Sequence, residues 1–220
     1  TLQYLQVELG LTDEQVKRML AVSPAFLRYG SAVKSSAEWL QSALGCDLRE
    51  VARIAHKSPQ VLGLRRCRMQ RTLDFLLHRM QCSPCDAKEV VMAQPQIFSY
   101  SVDNNLGPKL EYLRSLGVSE GGAIRVFREC PQVIGASLAA MQAKVDYLRG
   151  EWGLSPADLT AYPQYLSFSL QDRIRPRHRF ALYISAAGIP KPKDILLVSE
   201  RQFCLQVGSS VPEYRAWQSQ

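Results

Sequence analysis

The sequence predicts an all-α fold, a solenoid of about six helix-helix-short 3₁₀ turn repeats wound into a curved superhelix, and three observations carry that prediction. First, a Pro-containing block recurs as Ser23-Pro24-Ala25-Phe26-Leu27, Ser58-Pro59-Gln60-Val61-Leu62, Gln94-Pro95-Gln96-Ile97-Phe98, Cys130-Pro131-Gln132-Val133-Ile134 and Tyr162-Pro163-Gln164-Tyr165-Leu166. Its prolines stand 35, 36, 36 and 32 residues apart, and Arg201-Gln202-Phe203-Cys204 reads as a sixth copy without proline. Second, an acid-aromatic-Leu block keeps the same rhythm: Leu2-Gln3-Tyr4-Leu5, Ala37-Glu38-Trp39-Leu40, Leu73-Asp74-Phe75-Leu76, Leu110-Glu111-Tyr112-Leu113, Val145-Asp146-Tyr147-Leu148 and, more loosely, Phe180-Ala181-Leu182-Tyr183. Third, stop and cap signals alternate between the two blocks. A fixed period in two independent blocks is the signature of a repeat array, whose units bury their apolar faces only by stacking.

The elements follow in order within each unit. The first helix carries the aromatic block on an apolar stripe such as Leu106, Leu110, Leu113 and Leu116, and it stops at Gly10, Gly45, Gly117, Gly153 or Gly188, with Gln81 standing where a glycine is expected. The second helix opens on Thr12 with Gln15, Asp47 with Glu50, Ser83-Pro84 with Asp86, or Ser155-Pro156 with Asp158. Proline then ends it, and the following apolar pair forms the short turn that plugs the core between units. The fifth unit has a shortened second helix, residues 155–162. Residues 1–204 read as the repeat array and 205–220 as a C-terminal cap, with Val207, Val211, Tyr214 and Trp217 placed to cover the last unit.

Composition narrows the function. The chain has 220 residues, is 46% hydrophobic and holds no apolar run near the ~18 residues of a membrane span, so it reads as a folded protein that does not cross a bilayer. Its first residues lack the features of a signal or transit peptide, and a targeting segment, if the protein has one, lies outside this chain. The cysteines, Cys46, Cys67, Cys82, Cys85, Cys130 and Cys204, are too irregular for a disulfide framework and suggest a reducing compartment. No catalytic constellation, phosphate loop or HExxH occurs, so neither an enzyme nor a cofactor is expected. Cys82-Ser83-Pro84-Cys85 with His78 lacks a second ligand pair and is read as a helix cap rather than a metal site. The once-per-unit aromatics, Tyr4, Trp39, Phe75, Tyr112 and Tyr147, are read as packing rather than base platforms.

The net charge of +7 is unevenly spread. Residues 49–80 hold eight basic and two acidic residues and 173–220 hold eight and three, whereas 81–172 hold seven and ten. Arg65, Arg66, Arg68 and Arg71 sit at the entry to a first helix, where guanidinium groups and the helix N-terminus together suit phosphates. Arg173, Arg175, Arg177, His178 and Arg179 occupy the same place in their own unit, and Lys34, Lys109 and Lys144 fall in that part of the helix elsewhere. A competing stripe, Arg18, Arg53 and Arg125, lies six residues before the repeat proline, and periodicity alone does not choose between the two. Arg173, Arg175 and Arg177, on a lead-in bent at Pro176, are placed either for guanine edges or for phosphate alone.

Asn105-Leu106-Gly107-Pro108-Lys109-Leu110-Glu111-Tyr112-Leu113 with Leu116-Gly117, and Arg173-Ile174-Arg175-Pro176-Arg177-His178-Arg179, resemble the repeat of the mitochondrial transcription termination factor (mTERF) family, the second as its basic segment stands in plant and algal members. The resemblance covers essentially the whole chain. It implies a superhelix with a basic groove for double-stranded nucleic acid, acting in a mitochondrion or chloroplast. The resulting expectation is a monomeric binder of double-stranded DNA that regulates transcription by termination or pausing, in the mitochondrion first and the chloroplast second. Structured RNA in splicing or ribosome assembly is the alternative ligand, and a protein-binding adaptor the third reading.

Overall fold

A computed structural model describes residues 2–155, 158–184 and 190–219, with the side chains of Ala25 and Leu27 also left outside the description. The expected stop at Gly188 and Pro156 of the expected cap therefore lie outside the described residues. Every regular element among the described residues is helical. No described helix is long and apolar enough to cross a membrane.

The first helices are Tyr4–Glu8, Ala32–Leu44, Arg66–Asp74 continued by Phe75–Arg79, Val102–Leu106 continued by Gly107–Ser115, Leu138–Trp152, and Leu170–Ile174 continued by Arg175–Ile184. The second helices are Asp13–Val22, Leu48–Lys57, Pro84–Ala93, Glu120–Glu129 and the one-turn Asp158–Ala161. Turns at Pro24–Tyr29, Pro59–Gly63, Pro95–Ser99, Gln132–Gly135 and Pro163–Ser167 close the units. Successive second helices pack directly on one another from Asp13–Val22 to Asp158–Ala161. A single apolar core runs from Leu5 to Tyr214.

Local chemistry explains the boundaries. Thr12 and Gln15, and Asp47 and Glu50, form reciprocal capping boxes, and Ser83 accepts the Asp86 N–H at 3.1 Å. Gly10, Gly45, Gly117 and Gly153 take left-handed φ values of 61–79°. Gln81 adopts φ 56°, the one non-glycine among the described residues to do so, because its helix must stop at the same point.

Two alignments are corrected by the structure. Arg201-Gln202-Phe203-Cys204 lies in an α-helix, Glu200–Gln206, opened by a Ser199–Gln202 capping box, and is not a short turn. The loosest aromatic block is displaced by two residues. The π-helical turn Leu170–Ile174 matches Val102–Leu106, which makes His178-Arg179-Phe180-Ala181 the counterpart of Leu110-Glu111-Tyr112-Leu113. Phe180 and Ala181 are accordingly buried, while Leu182 and Tyr183 are 44% and 71% exposed. The last helix, Val211–Gln218, lays Tyr214 and Trp217 against Phe180 with ring centroids at 4.9 and 5.4 Å.

Candidate nucleic-acid interface

Helical phase sorts the basic residues of the first helices into two sets. In units two to six one position falls inside the apolar stripe, between residues three before and four after it that are buried: Ser36, Thr72, Lys109, Lys144 and Arg177. Ser36, Thr72 and Lys109 are 1% exposed and Arg177 is 6% exposed. The end of a short turn leaves carbonyls without helical partners, and at four of these five positions the side chain supplies the missing donor, whereas Thr72 Oγ1 donates to Arg68 O on its own helix at 3.4 Å. Lys109 Nζ donates to Ile134 O at 2.5 Å and to Asn105 Oδ1 at 2.7 Å, Lys144 Nζ to Leu166 O at 2.6 Å, and Arg177 Nη1 to Ile195 O at 2.6 Å. Unit two does the same with a hydroxyl, Ser36 Oγ donating to Leu64 O at 3.3 Å.

The π-helical turns keep this clamp in register. Eight residues separate the capping Ser101 from Lys109 and Ser169 from Arg177, and both stretches contain a π-helical turn. Seven separate Ser137 from Lys144, where there is none. The wider turn takes up the extra residue, as single-residue insertions in helices commonly do.

Burial has electrostatic consequences. It pulls the Lys109 ammonium down to about 8, and lowers Lys144 and Arg177 from their ordinary values. Burial also lowers His178, whose Nδ1 lies 2.9 Å from the Tyr147 hydroxyl and whose ring sits 4.1 Å from Trp152.

These placements correct part of the expected phosphate-facing set. Lys109, Arg177 and His178 are inside the fold, because their helical phase points them into the core. Lys144 is half-buried with its nitrogen on a carbonyl, and Arg173 donates to Leu196 O and Val198 O while its guanidinium covers the Phe168 ring at 4.4 Å. None of the five presents a free cation at the surface.

Lys34, Arg65, Arg66, Arg68, Arg71 and Arg179 are exposed, and Arg175 is half-buried. Arg65, Arg68 and Arg71 line an open groove of about 510 Å³ with Thr72 and Ser101. Arg65 is also the N-cap of Arg66–Asp74 and makes no capping bond, so the first N–H groups of that helix stay open. Lys34 lines the equivalent groove between the first two units, with Tyr4 and Ser31. Arg68 braces the edge by donating to Phe98 O and Ser99 O. Arg66 meets Glu38 at 3.7 Å and Arg71 meets Asp103 at 2.6 Å, both as exposed pairs that contribute little and that a phosphate can displace.

The competing stripe is different in kind. Arg18 pairs with Glu14 and Arg125 with Glu129, each one turn away on its own helix, which leaves Arg53 as its one member without a carboxylate among the described residues. Elsewhere, Arg114 bridges Glu111 and Glu120 and donates to Arg79 O, and Arg128 bridges Asp86 and Glu89. Among the described residues no group of three or more His, Cys, Asp or Glu is placed to hold a metal; Cys82 is buried and Cys85 exposed.

Comparison with known proteins matches the geometry. The mTERF family model matches residues 1–104 and 42–204. Transcription termination factor MTERF8, chloroplastic, of Arabidopsis thaliana is 25% identical over 206 residues, 90% of this chain and 39% of that protein. Transcription termination factor MTERF15, mitochondrial, of the same plant is 23% identical over 185 residues, 83% of this chain and 40% of that protein. The chain thus spans about two fifths of the length of these relatives. With helix pairs closed by a proline turn throughout, and a family match covering residues 1–204 between its two segments, this chain belongs to the mTERF family.

Proposed function

We propose that this chain binds double-stranded nucleic acid, DNA in the first instance, along the edge formed by the N-terminal ends of its early first helices, and that it regulates organellar transcription by obstructing a polymerase. The observation that carries the reading is the exposed row Arg65, Arg66 and Arg71 beside an uncapped helix N-terminus, braced by Arg68 and continued by Lys34. Among the described residues its guanidinium groups meet two exposed carboxylates, Glu38 and Asp103. Arg and Lys rows of this kind hold phosphates, and counterion release supplies most of the affinity. The chain acts as a monomer without chemistry of its own, with residues 205–220 serving as a cap on the last unit. The names of the relatives, a chloroplastic and a mitochondrial transcription termination factor, support an organellar compartment and the transcriptional role.

Competition binding with matched duplex DNA, duplex RNA and single strands at two salt concentrations tests the reading. Preference for duplex DNA with a steep salt dependence supports it. Preference for duplex RNA moves the ligand to structured RNA, and indifference to all three at low salt overturns nucleic-acid binding.

A further inference from the structure

The second arginine cluster divides around its helix. Arg173 and Arg177 are held by the carbonyls of Leu196, Ile195 and Val198, whereas Arg175 and Arg179, one turn apart, face a different cleft. That cleft has a volume of about 610 Å³ and is walled by Arg175, Arg179, Gln171 and Asp172 on one side and by Trp217 and Gln218 of the terminal helix on the other. Its size falls in the ~300–1,000 Å³ range of small-molecule sites. Arg179 is exposed, and Arg175 has an Nε that is buried without a hydrogen-bond partner while its Nη1 donates to Gln171 Oε1 at 3.1 Å. The Arg175 guanidinium lies over the Tyr147 ring at 5.5 Å, and Arg175 and Arg179 together line the cleft with two cationic groups suited to an anion.

Trp217 packs into an aromatic cluster: its ring lies 5.4 Å from Phe180 and is nearly parallel to Tyr214, at 14°. A packed aromatic wall loses little entropy when a planar group stacks on it. Gln218 donates its Nε2 to Tyr214 Oη, which leaves its amide oxygen for a ring N–H. Asp172 already accepts the Ser169 hydroxyl at 2.6 Å and adds a second acceptor at the same rim. Two guanidinium groups suited to bidentate phosphate contacts, a packed indole and two acceptors fit one ligand class, a planar heterocycle carrying a phosphate.

We propose that this cleft takes an unpaired nucleotide, its base against Trp217 and its phosphate between Arg175 and Arg179. The inference rests on the reading of the chain as a nucleic-acid binder and adds to it a site for unpaired nucleotides. An adjoining cleft of about 420 Å³ shares Asp172 and Gln218 with this one and is lined by Arg173 and Arg177. The continuity of the two favours consecutive nucleotides of a strand over a free mononucleotide.

Tryptophan fluorescence titration with a mononucleotide and with a trinucleotide tests this in wild type, Trp217→Phe and the double variant Arg175→Gln/Arg179→Gln. The control at Trp217 is needed because the chain has three tryptophans. The trinucleotide is expected to quench wild type, the quenching to vanish in Trp217→Phe, and the double variant to bind about tenfold more weakly with its melting temperature within about 2 °C of wild type. Affinity rising from one to three nucleotides assigns a strand as the source, and equal affinity assigns a free nucleotide. Quenching that survives Trp217→Phe, or affinity unchanged in a folded double variant, overturns the site. A wild-type protein that binds duplex but not the trinucleotide sinks the cleft alone. A protein lacking the four arginines of residues 65–71 that still binds the trinucleotide keeps the cleft even where the duplex edge fails.

Discussion

Residues 65–71 and 173–179 each hold four arginines within seven positions at the start of a first helix. In the first segment all four side chains are exposed, and one of them braces the edge from the surface through Phe98 O and Ser99 O. In the second, Arg177 is buried, Arg173 is half-buried on two carbonyls, and Arg175 and Arg179 are left to a cleft. The difference comes from phase. Met69, Leu73 and Leu76 set the stripe of the first helix, so the unit uses Thr72 at the inward position and its arginines fall outside. Ile174, His178 and Ala181 set the stripe of the second, and the inward position is Arg177. Equal charge density therefore gives an exposed cationic edge in one unit and a structural clamp in the other.

The sharpest way to break this comparison is to neutralise each segment. Changing Arg65, Arg66, Arg68 and Arg71 together to Gln should leave the chain folded, weaken duplex binding for all sequences, and flatten the salt dependence by up to about 0.9 per lost phosphate contact. Arg177→Gln alone should lower unfolding stability by about 1–3 kcal/mol, since it orphans the buried Ile195 carbonyl, while Val198 O keeps Arg173 as a donor. Denaturant unfolding beside duplex titration reads both. If the Arg177 variant is as stable as wild type and the quadruple variant unfolds, the roles are reversed.

Much of this organisation is legible in the sequence. The Pro block, the aromatic block and the glycine stops place nearly every helix, because steric and capping rules act over a few residues. The clamp was legible as well, since Lys109 falls three residues after Leu106 and four before Leu113, and Lys144 repeats the phase between Met141 and Leu148. Their shared period reflects a shared structural need, although a charged side chain at that spacing resembles a surface stripe. The π-helical turns were not legible, because a one-residue insertion leaves no composition signal; the two-residue displacement of the sixth aromatic block follows from the shortened second helix of the fifth unit, offset in part by that insertion. Nor could sequence show that Trp217, on the terminal helix, faces Arg175 and Arg179 across a cleft.

Lys109 sharpens the comparison in the other direction, because a buried clamp must titrate differently from a surface cation. Its folded pKa, about 8, lies below the ordinary lysine value of 10.5, so the unfolded chain binds more protons between those values and stability should rise as pH rises through that window. From pH 7 to pH 9 the gain should be about 1 kcal/mol. Lys109→Met should cost about 2 kcal/mol at pH 7 by orphaning Ile134 O and Asn105 Oδ1, and should remove the pH-dependent gain. Urea titrations at the two pH values measure it; a gain of equal size in the variant would assign the effect to another group.

A smaller effect is expected at Gln81, whose φ of 56° is one that glycine adopts freely. Gln81→Gly should stabilise the chain by about 0.5–1 kcal/mol, the relief of left-handed strain less the entropy glycine loses on folding. An unchanged unfolding midpoint would mean that Gln81 gains as much from its surroundings as its backbone loses.

The smallest expected effects separate the two cysteines of the Cys82-Ser83-Pro84-Cys85 segment. Ser83 holds the turn, accepting the Asp86 N–H and donating to its carboxylate at 2.7 Å, so neither thiol is needed to cap Pro84–Ala93. Cys85 is exposed, and Cys85→Ser should change stability by less than about 0.5 kcal/mol. Cys82 is 6% exposed, and burial pushes its thiol up to about 11, which keeps it a neutral apolar group at physiological pH. Cys82→Ser places a hydroxyl in that apolar setting and should cost about 1 kcal/mol. Thermal melts of the two single variants decide the matter, with zinc analysis of wild type alongside. Equal losses in both variants, accompanied by stoichiometric zinc that either change removes, would show the pair acting together as a metal clip and would displace Ser83 as the residue that holds this turn.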